Sequence, residues 1–428
     1  MSGSLDPAAT AIQECMAPRE VGLCPLSLDR MEATIRRSVE SGRIAGFQTL
    51  LARGGRLAHQ GMGGYLDLAS RKAMREDAIF RIFSMTKPIT SLAVLMLHEK
   101  GCFQLDSPIS RFIPELGDLR VQAEGEDGAD DGAGRLETLA RPVSIRDLLT
   151  HTSGLGYGIG APGPLEARWR AADLLRTDEA IADKMPRIAD LPLHHQPGLR
   201  YTYSFATDVL GRLVEIAGGL PLDEFFRTRI FEPLGMVDTG FFVPSAKLDR
   251  LASLYTQDAE GRLVDMASID PATLPHFPKG AWVDKSEKPR FLSGGGGLVS
   301  TARDYLRFAL MLRGGGELGA ARILDRDTVK LMTTGCLGPG QFFIPGCNYG
   351  LGLTVVEEPE RLHLPVSAGS YGGSGAATTD FWVDPEADLV GVFMVQLVSL
   401  EPVSVVQDFR VGAALAIEDR GSMMEAWT

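Results

Sequence analysis

The chain's clearest chemistry lies in Ser84-Met85-Thr86-Lys87, where a hydroxyl and an amine stand three positions apart. On a helix such residues share one face, so the Lys87 amine can sit beside the Ser84 hydroxyl as base beside nucleophile. By itself the tetrapeptide is equally a surface serine near a solvated lysine, and its neighbours decide between the two. Pro88 lacks an N–H and is tolerated only in a helix's first turn, so a helix must begin close to Ser84. The Ser84 N–H then has no helical partner and is free to face an oxyanion, where the helix dipole also favours negative charge. A lysine is ordinarily protonated at neutral pH, so a base role for Lys87 requires burial or another cation to lower its pKa.

The elements that must position this pair can be read from the apolar pattern. Ile89, Leu92, Ala93, Met96 and Leu97 recur at helical spacing between Lys87 and Lys100, with Gly101 placed as a stop. Residues 46–52 and 56–62 flank Arg53-Gly54-Gly55 as strands around a hairpin turn. Residues 121–140 hold Glu124, Glu126, Asp127, Asp130 and Asp131 among glycines and alanines and read as an exposed loop. Between about 143 and 290 helical patterns dominate, including Ile145 to Leu149, Thr207 to Ala217 and Leu222 to Phe231. Gly294 to Gly297 reads as a structural glycine run rather than a phosphate loop, since no Gly-Lys-Ser/Thr ending follows. Thr301 and Asp304 then have capping-box spacing for a helix that stops at Gly314 to Gly316. Thr378 to Val383 and Leu389 to Val398 are β-rich runs joined by Asp384-Pro385-Glu386. Sheet at both ends of the chain encloses helices in the middle, an α/β (α+β) arrangement.

With these elements in place, Phe83-Ser84-Met85-Thr86-Lys87-Pro88 resembles the nucleophile segment of class C β-lactamases and of the related family VIII carboxylesterases. The resemblance runs in the expected order from about residue 28 to about residue 400. It implies the β-lactamase/DD-peptidase-like fold: an antiparallel sheet built from both chain ends and flanked by helices, plus a mainly helical middle domain. The corresponding division is 1–82 with 290–428 as a discontinuous α/β domain and 83–289 as the helical one, with the active site between them.

The resemblance also assigns roles. Pro197-Gly198 aligns the Tyr-x-Asn motif so that Tyr203 is the catalytic phenol and Phe205 replaces the asparagine; Tyr201 matches an aromatic two positions earlier. Phenylalanine cannot hydrogen-bond an amide-bearing acyl group, so an apolar acyl pocket is expected. The Lys-Thr-Gly segment aligns with Tyr371-Gly372-Gly373, which makes the Ser374 N–H the second oxyanion donor. With Tyr371 in place of lysine, the cation for a β-lactam carboxylate is missing and neutral esters are favoured, although an arginine elsewhere can restore anion binding. The expected function is serine carboxylesterase action on short-chain esters through an acyl-enzyme on Ser84, with weak β-lactamase activity as a side reaction. A β-lactamase, a D-aminopeptidase or an acyltransferase on the same fold, or a non-catalytic penicillin-recognising protein, remains as an alternative. Whether Lys87 or Tyr203 takes the proton is open, and His151 in Thr150-His151-Thr152-Ser153-Gly154 reads as structural.

Composition narrows the remaining classes. The net charge of −12, with no cluster of lysine and arginine, disfavours nucleic acid as a partner. The longest strongly apolar run, Leu389 to Val398, has ten residues against the roughly 20 needed to cross a bilayer, so no membrane span is expected. Met1 to Leu23 lacks the basic start and apolar core of a secretory signal, and the expected compartment is the cytoplasm. Five cysteines without a CxxC pair read as reduced thiols, and the seven histidines show no metal spacing, so no metal and no cofactor are expected. No serine has glycines both two before and two after it, which excludes the nucleophile elbow of the α/β-hydrolases.

Overall fold

Gly54 and Gly55 take φ of +61° and +75°, the left-handed backbone that a two-residue hairpin demands, and they join β1 (Gly46–Arg53) to β2 (Arg56–Asp67). In the computed structural model, which describes residues 15–123, 135–158, 163–270, 282–362, 364–399 and 404–418, this hairpin belongs to an eight-stranded antiparallel sheet. The other strands are β3 (Lys72–Ala73), β4 (Cys347–Tyr349), β5 (Thr354–Val356), β6 (Tyr371–Gly375), β7 (Thr379–Asp384) and β8 (Leu389–Met394). Their order is β4-β5-β6-β7-β8-β1-β2-β3, so the two ends of the chain meet where β8 pairs with β1, from Gln48↔Met394 to Arg53↔Leu389. The β7–β8 turn closes at Asp384↔Leu389 and is longer than its Asp384-Pro385-Glu386 signal, continuing through Asp388 at φ +51°.

All six residues of β8 are buried, an unbroken apolar run with helices on both faces. Framing these layers and the site are α1 (Pro25–Glu40), α2 (Thr86–Glu99), α3 (Ala206–Gly218), α4 (Ala302–Arg313) and α5 (Val405–Leu415). On one face Leu28, Met31 and Ile35 of α1 and Phe409 of α5 join Phe47, Trp382 and Phe393 in one cluster. On the other, Tyr305 and Phe308 of α4 pack on Phe381, with ring centroids at 4.9 and 6.2 Å. Phe381 and Trp382 thus point to opposite faces, as the period-two strand pattern requires. Phe381→Ala is expected to cost about 3–5 kcal/mol of unfolding free energy, read as a lower denaturant midpoint.

The middle of the chain is mainly helical but not wholly so. Arg120–Gln122 pairs with Leu136–Thr138, so the ends of the expected 121–140 loop form a short ladder, while residues 124–134 lie outside the described residues. Tyr255–Gln257 pairs with Leu263–Asp265 in the same way. Leu222 to Phe231 holds an α-helical turn followed by a π-helical one. Thr301 Oγ1 accepts from the Asp304 N–H at 3.1 Å, but the reciprocal half of the expected capping box is absent. The Asp304 carboxylate is spent instead on the Asp238 N–H at 2.7 Å and the Thr239 hydroxyl at 2.9 Å. Among the described residues no helix is long and apolar enough to cross a membrane.

Candidate active site

The Ser84 side chain stands at the start of α2, whose residues Thr86 to Leu97 are all buried. A short 3-10 turn, Phe83–Met85, leads into the helix, so Ser84 sits one turn ahead of the α-helical hydrogen bonding. Phe83 has φ +40°, a costly conformation for a non-glycine residue, and its ring stacks on Trp282 at 6.2 Å. The packed ring holds the bend that turns the neighbouring serine towards the cavity.

Three polar groups converge there. Ser84 Oγ lies 2.6 Å from Tyr203 Oη and accepts from Lys87 Nζ at 3.2 Å. Lys87 Nζ also donates to the Gly295 carbonyl at 2.6 Å and sits 4.6 Å above the Tyr203 ring. Lys87 is only 3% exposed. The Gly294 to Gly297 run, read as structural from sequence, is therefore part of the site: Gly295 anchors the lysine, and Gly295 and Gly296 line the cavity. Behind it, Asp208 of α3 accepts from the Gly295 N–H at 3.0 Å and from the Ser293 hydroxyl at 2.5 Å. Burial raises the Asp208 carboxyl above the usual carboxylate range, while Ser293, Lys87 and Gly295 pull it down.

The cavity at Ser84 has a volume of about 870 Å³ and is walled chiefly by aromatic rings. Tyr157 stacks on Tyr203 at 5.6 Å, and Tyr201 packs against Phe342 and Tyr349 at 4.9 and 5.2 Å. Burial pushes the Tyr157, Tyr201 and Tyr349 phenols well above the ordinary range, so all three are neutral walls. Phe343 lines the cavity yet is 70% exposed, placing it at the mouth.

β6 forms the opposite wall, with Gly372, Gly373 and Ser374 lining the cavity. Its ladder with β5 ends at Thr354↔Gly372, so the following residues have no strand partner on that side. The Ser374 hydroxyl donates to Asp380 at 2.7 Å, and Arg410 holds that carboxylate from behind at 2.8 Å.

Two of the expected site residues lie elsewhere. Tyr371 is 6% exposed in the core under the sheet and is not among the cavity residues; strand alternation directs its ring inward, and only the backbone beyond it reaches the cleft. Phe205 is 1% exposed at the start of α3, packed on Tyr157 and Phe291 at 6.1 and 5.8 Å. It supports Tyr157 from behind instead of lining an acyl pocket. His151 is also off the cavity, with Nδ1 3.1 Å from the Ser204 hydroxyl. Burial, reinforced by Lys87, lowers its pKa to about 3, so it is a neutral structural group.

Sequence reasoning missed Tyr157, Trp282, Arg170 and the Phe342-Phe343-Ile344 segment, which all line the cavity. Only Phe342-Phe343 carried a signal, two adjacent aromatics with no periodic partner. Among the described residues no group of His, Cys, Asp and Glu side chains is arranged to hold a metal.

A buried helix preceded by a serine-bearing turn, packed against an antiparallel sheet made from both chain ends, is the architecture of β-lactamases and penicillin-binding proteins. The profile of the beta-lactamase family matches residues 31–416, and the chain belongs to that family. It is 36% identical to Protein Rv1367c of Mycobacterium tuberculosis over 385 residues, covering 87% of this chain and 90% of that one. It is 31% identical to Esterase EstB of Burkholderia gladioli over 362 residues, covering 83% and 86%. Among solved structures, EstCE1, described as a hydrolase with promiscuous acyltransferase activity, superposes with a TM-score of 0.77 at 27% identity, covering 92% of this chain and 99% of that one.

Proposed function

We propose that the protein is a serine carboxylesterase that hydrolyses short-chain carboxylic esters through an acyl-enzyme on Ser84. The observation that carries this reading is the Ser84 hydroxyl bonded to both Tyr203 and Lys87 at the floor of a largely apolar cavity. Ser84 Oγ attacks the ester carbonyl and its proton passes to the Lys87–Tyr203 pair. The carbonyl oxygen becomes an oxyanion held by the Ser84 and Ser374 N–H groups. The carbon–oxygen bond to the alcohol breaks, and the alcohol leaves with the proton stored on the pair. Water, deprotonated by the same pair, then attacks the acyl-enzyme and releases the acid and Ser84. Similarity to EstB supports ester over amide chemistry. The wall at β6 offers glycine and serine where a β-lactam carboxylate would need a cation.

A short-chain nitrophenyl ester is expected to be turned over with a kcat/KM at least about 10- to 100-fold above that of a chromogenic cephalosporin, the value of one lost charge-assisted hydrogen bond. The reverse ranking overturns the esterase assignment. Mass spectrometry after treatment with a phosphonate ester is expected to find the adduct on Ser84. No adduct, with activity unchanged in Ser84→Ala, overturns the site and favours a non-catalytic binding protein.

A second reading, acyl transfer to an alcohol, is favoured by the size of the cavity, which leaves room for an acceptor beside the acyl group, and by the likeness to EstCE1. The ratio of transfer product to free acid in the presence of a small alcohol separates the two.

A further inference from the structure

Arg170 belongs to the helix Pro164–Ala171 and lines the same cavity, half-buried. Its Nε donates to the Gly158 carbonyl at 3.1 Å, one residue beyond Tyr157. Tyr157 in turn stacks on Tyr203, which bonds Ser84, so Arg170 is anchored beside the aromatic wall that leads to the Ser84 centre. The backbone of Gly158 packs so closely on Arg170 that a Cβ there would meet the Arg170 Cα at 2.9 Å, and this contact seats the arginine's stem.

What is unusual is the use of its remaining nitrogens. Among the described residues Arg170 has no ion pair and no hydrogen bond beyond the one from Nε. Glu166, one turn earlier on the helix, pairs with His194 Nε2 at 3.1 Å instead. Among the described residues Lys87 is the other cation lining the cavity, and it is engaged with Ser84 and Gly295. Among the described residues no aspartate or glutamate lines the cavity. Arg170 thus lines a largely apolar cavity with no carboxylate partner among the described residues, and its planar fork fits a carboxylate that arrives with the ligand.

We infer that Arg170 is a specificity-determining residue that binds a carboxylate carried by the ester substrate, so the preferred substrates are esters of dicarboxylic or hydroxy-carboxylic acids. This rests on the ester-hydrolase reading and sharpens it. The anion site is on the Tyr157 wall, away from β6, where a β-lactam carboxylate would need its cation.

The test compares isosteric pairs. One is the nitrophenyl half-ester of adipic acid against its methyl-capped diester, with the charge on the acyl side. The other is the butyrate of para-hydroxybenzoate against that of its methyl ester, with the charge on the alcohol side. In the unmodified protein the anionic member of one pair is expected to have the higher kcat/KM. Arg170→Gln is expected to lower that anionic-over-neutral ratio by about 10- to 100-fold, and Arg170→Lys to keep part of it, since the charge stays and the fork is lost. Calorimetric binding of adipate half-amide to the Ser84→Ala protein, and its loss when Arg170→Gln is added, reads the same site without turnover. A ratio near unity in both pairs, or one that Arg170→Gln leaves unchanged, overturns the inference. Failure to hydrolyse the neutral members defeats the esterase reading instead, and the binding measurement still decides Arg170.

Discussion

Ser84→Ala is expected to lower kcat/KM for a short-chain nitrophenyl ester by roughly 10⁴- to 10⁶-fold while leaving the thermal midpoint near its starting value. The size of the loss follows from the lack, among the described residues, of another serine or threonine hydroxyl bonded to Lys87 or Tyr203. Of the other hydroxyl side chains at the cavity, Ser374 is tied to Asp380 at 2.7 Å. The neutral phenols of Tyr157, Tyr201 and Tyr349 make poor nucleophiles because burial opposes their ionisation. Stability is spared because Ser84 lies ahead of α2, in a bend that the Phe83–Trp282 stack holds independently of the hydroxyl. Steady-state kinetics beside a thermal melt checks both halves. A variant that keeps more than about a tenth of its activity moves the nucleophile elsewhere.

That Ser84 was legible in the sequence owes more to Pro88 than to the tetrapeptide. A proline fixes where a helix can begin, and local steric rules of this kind survive tertiary packing. The same holds for the Gly54-Gly55 hairpin and for the apolar runs of β7 and β8, whose burial on both faces leaves a continuous hydrophobic signature. The antiparallel sheet from both chain ends follows from those runs together with the family resemblance, and residues 31–416 carry the family pattern.

The cavity walls were not legible, because they depend on distant segments brought side by side. Gly295 reaches Lys87 across more than two hundred positions, and nothing in a glycine run announces that its carbonyl will take an amine. Phe205 and Tyr371 mislead for the opposite reason. The resemblance sets each at a position expected to face substrate, yet each is an apolar or aromatic side chain with a core to enter, and burial rewards the inward placement. The capping box at Thr301 forms only halfway because Asp238 and Thr239, remote in sequence, compete for the Asp304 carboxylate.

Lys87→Ala and Tyr203→Phe are each expected to reduce kcat by about 10²- to 10⁴-fold, and together to cost little more than the worse of the two. The geometry makes them one proton-handling unit. Both polar atoms touch Ser84 Oγ, at 3.2 and 2.6 Å, and Lys87 Nζ lies 4.6 Å over the phenol ring, so the three groups form one contiguous path for the serine proton. Removing either partner breaks that path, which is why the second removal adds little. Independent roles would instead give losses that multiply. KM is expected to move less than kcat, since neither group is needed to seat an apolar ester among the aromatic walls. A double-mutant cycle on kcat, with burst-phase measurement of the acyl-enzyme, decides between the two patterns. A multiplicative loss assigns the base to one residue alone, and a loss confined to deacylation assigns the pair to the water step only.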